Sequence, residues 1–256
     1  MFTVPIKGNR KLKKIVERIN KDLEIQTLWK CANVTAIDRM GYSDHGPIHA
    51  KIVSNFALKI LRLLMEAGIK PSVVEDYGMK NEDAEVVVVL ASALHDVGMS
   101  VHRDYHNILS VPLAAPILDR ILEGVYKGEE KYIVRSEVLH AILTHHKKAR
   151  PLTIEAGVVR LADALDMEEG RARIPFQLGR VNIHSVSAIA IRKVEVEKGE
   201  EKPVLIKITM KNSSGIFQID ELLKNKLYNS GIESYVQVIG IVEGETESKI
   251  IEKFEI

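Results

Sequence analysis

The pair His95-Asp96 stands at the centre of a dense group of imidazoles and carboxylates. Nine histidines occur in the 256 residues, and eight fall between positions 45 and 146: His45, His49, His95, His102, His106, His140, His145 and His146. Only His184 lies outside that window. Imidazole nitrogens and carboxylate oxygens together form the donor set that suits Mn, Fe, Co, Ni and Zn. A single histidine usually packs or faces solvent, whereas this many in one window ask for a common cause. The cause these residue types offer is a metal site.

Such residues act as ligands only if the chain brings them together, and the first two-thirds of it reads as helices. Leu12, Ile15, Val16, Ile19 and Leu23 recur at helical spacing, and a second segment carries Leu28, Trp29 and Val34. The next helix is expected to open around Asp44, with Pro47 in its first turn, and to end at Gly68 before Pro71. Its apolar face runs through His49, Val53, Phe56, Ile60 and Leu64. After the acidic first turn Asn81-Glu82-Asp83 comes VVVVLASALHD, which its length and the stop signal Gly98 make a buried helix rather than a strand. Residues 103–124 look helical, with a kink or restart expected at Pro112 and Pro116. Residues 130–147 form a further helix with Val138, Ile142 and His145 on one face, which leaves His140 on the opposite side as a surface residue. Thr153 caps the last helix, on which Ala156, Val159, Asp163 and Asp166 share a face.

Near residue 180 the period changes. Ile189, Ile191, Val194 and Val196 alternate with polar residues, as do Val204, Ile206, Ile208 and Met210. A short helix with Ile219, Leu222, Leu223 and Leu227 inward and Gly231 at its end is followed by strands near Tyr235–Val242 and Lys249–Phe254. The expected fold is a mainly α-helical bundle over residues 1–180 and a smaller α+β domain, β-β-α-β-β with antiparallel strands, over residues 181–256.

Composition excludes several classes. The chain is 46% hydrophobic and 28% charged, enough apolar surface for a globular core, and its net charge of +1 predicts no nucleic-acid or membrane partner. Cys31 is alone, which excludes an internal disulfide and fits a reducing cytoplasm. The start MFTVPIKGNRKLKK lacks the apolar region of a signal peptide, and the run Val86–Ala91 is far short of the roughly 20 residues that span a bilayer. Charge carried mainly by Lys and Glu, with few Gln, is the composition of a thermophile. A cytoplasmic protein is expected.

Placed on these elements, His49, His95-Asp96, His145 and Asp163 come from four helices and point inward. Inward histidines and carboxylates are how helical bundles build di-metal centres. Burying so many polar groups without partners would cost about 1–3 kcal/mol each.

The ordered set resembles the HD-domain metal-dependent phosphohydrolases, whose hallmark is a His, a His-Asp pair and a distant Asp. The matching residues are His49 in HAKIVSNFA, His95-Asp96 in ASALHDVGMS and Asp163 in RLADALD. His106 in HNILSVPLAAPIL and His145-His146 in ILTHHKK occupy the two further positions of the multi-histidine subset that binds two or more metals. The similarity spans about residues 40–170 and is greatest to archaeal HD hydrolases. It extends more distantly to HD-GYP cyclic-dinucleotide phosphodiesterases, but the GYP segment is absent and Met99 stands where those proteins have Lys.

The resemblance implies two divalent metal ions (Mn, Fe, Co, Ni, Mg or Zn). Asp96 would bridge them, with His49, His95 and Asp163 completing one and His106, His145 and His146 the other. It implies hydrolysis of a phosphate ester, of a nucleotide or cyclic nucleotide, by metal-bound hydroxide, with Asp96 and His95 catalytic. His102, one turn from His106, is its equal by residue type, and His45 is a third-metal ligand, a helix-start cap or a surface residue. Asp166 either orients a ligand histidine or pairs with Arg171 or Arg173. Arg103, Lys147, Lys148 and Arg171 with Arg173 are candidates for substrate phosphate. The partner expected is a small phosphate ester or nucleotide, with homo-oligomerisation open. Two alternatives stand beside this reading: a di-iron oxygenase on the same ligands, and a non-catalytic module that senses a nucleotide.

Overall fold

The computed structural model describes residues 1–146, 149–170, 187–243 and 253–255. Its helical part comprises α1 (Arg10–Lys21), α2 (Leu23–Asn33), α3 (Pro47–Glu66), α4 (Ser72–Tyr77), α5 (Asn81–Leu94), α6 (His106–Leu122), α7 (Glu129–Thr144) and α8 (Ile154–Ala164). Short polar residues open several of them by accepting an otherwise unpaired backbone N–H: Asn9 from Leu12, Asp22 from Ile25 and Thr153 from Ala156. Helix α3 is started from outside by the Asp44 carboxylate, which accepts from the backbone of both Gly46 and His49.

Helix α5 is the axis of the bundle. Every residue from Asp83 to Leu94 is buried, with α1, α3, α4, α7 and α8 packed around it. Its two buried acids are satisfied from neighbouring elements. Glu85 accepts from Arg62 and Asn9, and Asp83 from Lys11 and the Tyr126 hydroxyl. The four-valine run is thus a helix and not a strand.

Of the kink or restart expected at Pro112 and Pro116, the restart does not occur; α6 runs unbroken through both. The two prolines are one turn apart and both exposed, so the carbonyls of Ile108 and Pro112 that lose an N–H partner lie on the solvent side. The opposite face, with Ala114, Ile117, Leu118 and Ile121, is buried and holds the helix together.

After a gap in the described residues, strands β1 (Ile191–Lys198), β2 (Val204–Met210), β3 (Val236–Val242) and β4 (Lys253–Glu255) form a sheet in that order. Pairs β1–β2 and β3–β4 are antiparallel, but β2 and β3 are parallel, with Val204 opposite Val236 and Met210 opposite Val242. The expectation of an all-antiparallel sheet is therefore corrected. A parallel pair needs a long crossover. The chain provides one through a wide π-helical stretch, Gln218–Lys224, that runs into the short α-helix Asn225–Leu227, together called α9. One face of β2 and β3 is buried at every second residue, and α3 packs against β1 and β2. Bundle and sheet share one continuous apolar core. Among the described residues, no helix is long and apolar enough to cross a membrane.

Candidate metal centre

The centre is built where four helices end or begin. His49 is in the first turn of α3, His95 is the residue that ends α5, His145 the one that ends α7, and Asp163 lies in the last turn of α8. Asp96 leaves the helical path, and a 3-10 turn, Val97–Ser100, carries the chain away. That turn lets α6 begin directly against the pair. A Cβ on Gly98 would sit 2.1 Å from the His106 carbonyl oxygen and 2.6 Å from the Ser110 nitrogen, so only glycine permits this approach. The Ser110 hydroxyl fastens the junction, donating to the His95 carbonyl and accepting from the Gly98 N–H. Tyr105, immediately before His106, takes a left-handed conformation with φ of 64°, a costly state for a residue with a side chain.

Each of the four imidazoles has its Nδ1 committed to an oxygen that only accepts. His49 Nδ1 lies 2.6 Å from Asp166 Oδ2, and His95, His106 and His145 reach the carbonyls of Ser92, Arg103 and Ile142 at 2.8, 2.9 and 2.6 Å. The proton must therefore be on Nδ1, which leaves a lone pair on every Nε2. Those lone pairs face one another: His49 and His95 Nε2 are 3.1 Å apart, as are His106 and His145 Nε2. Two acceptors cannot bond to each other, so a proton or a metal cation is needed between them.

The carboxylates complete two nests of donors. Around the first, His49 Nε2 is 3.2 Å from Asp163 Oδ1 and 3.4 Å from Asp96 Oδ2, and His95 Nε2 is 3.3 Å from that same Asp96 oxygen. Around the second, Asp96 Oδ1 is 3.3 Å from His106 Nε2 and 3.6 Å from His145 Nε2. Ligand atoms about 2.1 Å from a common ion stand about 3.0–3.4 Å apart; the separations here run from 3.1 to 3.7 Å in the first nest and from 3.1 to 3.6 Å in the second, close to that range. The residues fit divalent metal, and the two oxygens of Asp96 face different nests.

Electrostatics agree. Burial would depress the His95 imidazole, but Asp96 and Asp163 outweigh it and raise its pKa to about 9. Burial would likewise raise both carboxyls, yet His95 for Asp96, and Lys226 with the two histidines for Asp163, hold them well below the usual range. Burial keeps His145 far below, and His106 below, an ordinary histidine, so both are neutral ligands at pH 7. Without metal, a proton on His95 takes the place of the cation the cage needs.

Comparison with known proteins accords with this geometry. The family model described as HD domain matches residues 48–168, a span that contains every candidate ligand of both nests. An uncharacterized protein of Methanocaldococcus jannaschii, MJ1020, is 46% identical over 233 residues, 91% of this chain and 90% of that protein. The chain belongs to the HD domain family. HD domains bind divalent metals and belong to the metal-dependent phosphohydrolase superfamily. The Ribonuclease Y of Desulforudis audaxviator is 25% identical over 171 residues, 64% of this chain but only 30% of its own length.

Other candidates are placed differently within this HD domain. His146 stands edge-on to His106 with ring centres 5.5 Å apart, and edge-on to His145 at 6.5 Å. His102, by type the equal of His106, is exposed and accepts the Asp104 N–H through its Nδ1, away from the cage. His45 is buried, its Nδ1 2.7 Å from the Ser43 carbonyl and its ring 5.6 Å from that of His49. Asp166 is turned to His49. Arg103 lies over the Tyr42 ring, 5.7 Å from its centre. Lys147, Lys148, Arg171, Arg173 and His184 lie outside the described residues. His140 is half-buried and accepts the Leu152 N–H, which corrects its reading as a surface residue.

Two contributors escaped the sequence reading. Arg160 of α8 is buried and donates through Nη1 to the carbonyls of Thr144, His146 and Ala149, tying down the segment that presents His145. Lys226 of α9 pairs with Asp163. No local signal marks either: an arginine on an apolar helix face resembles a solvated end, and Lys226 lies 63 residues from its partner.

Proposed function

We propose that the protein is a phosphohydrolase that cleaves a phosphate ester of a nucleotide at a centre of two divalent cations. One observation carries the reading: Asp96 directs Oδ2 to His49 and His95 and Oδ1 to His106 and His145. The first nest would be completed by Asp163. Cations held there would supply an activated water and neutralise charge on the phosphoryl oxygens. The protein's own part is to fix the donors. Asp166 holds His49 in one tautomer, and backbone carbonyls do so for the other three rings. The nucleotide class is supported by exposed Tyr42, a ring on which a base can stack, beside the Arg103 guanidinium, which suits a phosphate. Likeness over this domain to a protein named Ribonuclease Y points to the same class.

The test is a screen of nucleotides, cyclic nucleotides and generic phosphoesters with Mn, Co, Ni, Mg and Fe added separately, with oxygen uptake followed alongside. Phosphate release that disappears in Asp96→Ala is the expected result. Metal-loaded protein that consumes oxygen and releases no phosphate would overturn the reading.

A further inference from the structure

The residues at the mouth of the centre do not all belong to the helical domain. Side-chain exposure rises across the ligands from 1% at His49 and His95, through 2% at His145, 5% at His106 and 9% at Asp96, to 14% at Asp163. Asp163 is thus the most exposed of the six, and its side of the cage offers a substrate phosphate the most open approach among the described residues. Lys226 stands at that opening, 21% exposed, with its ammonium on Asp163 Oδ2, while Asp163 Oδ1 faces the imidazoles. It comes from α9, 58 residues beyond the end of the HD match at residue 168.

Its position is fixed by packing. Leu223 and Leu227, on either side of it in α9, are buried. The turn after α9 is seated so closely on α8 that a Cβ on Gly157 would lie 2.3 Å from the Ser230 carbonyl oxygen. Among the described residues the Lys226 ammonium pairs with Asp163. An ammonium has three N–H donors, so two are left for another acceptor. Cations in the cage would claim the Asp163 charge, and a lysine beside them would then need a second anion.

We propose that Lys226 is a substrate-phosphate contact delivered to the HD site by the sheet domain, so that this domain completes the active site. The proposal rests on the phosphohydrolase reading above. Oxygen-bearing anions of the phosphate ester and of the product phosphate share the chemistry an ammonium recognises.

The experiment uses full-length protein loaded with Mn and compares Lys226→Ala and Lys226→Arg with the wild type. Bound metal is counted by elemental analysis, folding is checked by thermal unfolding, and inorganic phosphate affinity is measured by calorimetry. Turnover of p-nitrophenyl phosphate is resolved into kcat and KM. Lys226→Ala should bind phosphate about 10- to 100-fold more weakly, the range for one hydrogen bond to a charged group, with metal content unchanged. Lys226→Arg, which keeps the charge, should recover most of the loss. Unchanged phosphate affinity and turnover in Lys226→Ala would overturn the proposal. So would loss of metal from that variant, since Lys226 would then merely prop Asp163. Wild-type protein that neither binds phosphate nor hydrolyses the ester would remove the phosphohydrolase reading and this proposal together, an outcome distinct from a silent lysine in an active enzyme.

Discussion

Loading the centre with divalent metal near pH 7 should expel a proton from His95. Burial disfavours charge on this ring, but Asp96 and Asp163 outweigh it and set its pKa at about 9, against 6.5 for an ordinary histidine. In metal-free protein at pH 7 it is therefore protonated, and a metal can take its Nε2 only after that proton leaves. Four of the other donors give up nothing: burial keeps His106 and His145 neutral, and neighbouring positive charge keeps Asp96 and Asp163 ionised. A proton bound with a pKa of about 9 has to be displaced at pH 7, so it competes directly with the metal for Nε2. The sign follows from the raised pKa: apparent affinity at the His49–His95 nest climbs about tenfold per unit from pH 6.5 to 8.5 and levels off near 9. The His106–His145 nest, with no proton to lose, stays nearly flat over the same range. Titration calorimetry with Mn in buffers of different ionisation enthalpy counts the proton, and repeating it across pH gives the slope. Metal uptake that releases no proton at pH 7 and shows no pH dependence in either nest would refute the reasoning.

Two further substitutions test the scaffold. Asp166→Ala removes the acceptor that fixes the His49 tautomer and should weaken metal binding or activity about 10- to 100-fold with little change in helicity, measured by metal titration and circular dichroism. Gly98→Ala forces a methyl against the His106 carbonyl and should cost about 1–3 kcal/mol, seen as a fall in Tm of about 3–10 °C. An unchanged Tm would mean that α6 is not held against the His95-Asp96 turn as described.

The helical half was legible because ligand chemistry and helix chemistry reinforce each other there. His49 lies on an apolar stripe, His95 ends a helix without a polar face, and Asp163 shares a face with Val159, so residue type and periodicity give the same inward direction. Where the two came apart, sequence was silent. His102 and His106 differ by one turn and not at all in donor chemistry. The distinction is made by the chain start at Tyr105, whose left-handed φ begins α6 at His106 and leaves His102 outside. Pro112 and Pro116 promised a break because propensity counts lost hydrogen bonds without seeing which side of the helix meets solvent. The alternating strands announced a sheet, but alternation is the same in parallel and antiparallel pairs that bury one face, so the β2–β3 orientation had no local mark.

The same limit applies to how the two halves meet. A change of hydrophobic period near residue 180 marks where one kind of secondary structure gives way to another, and says nothing about whether the two share a core. Here they do: Ile191, Val194 and Ile206 of the sheet lie in one apolar cluster with Val53, Leu61 and Leu90 of the bundle. Gly157, without a side chain, lets α8 close on Ser230, and through that contact α9 carries Lys226 to Asp163. Any shift of the sheet relative to the bundle therefore has to move a cation at the mouth of the metal cage. Two elements built on different periods are joined by packing that no linear pattern records, and that packing brings a cation to Asp163.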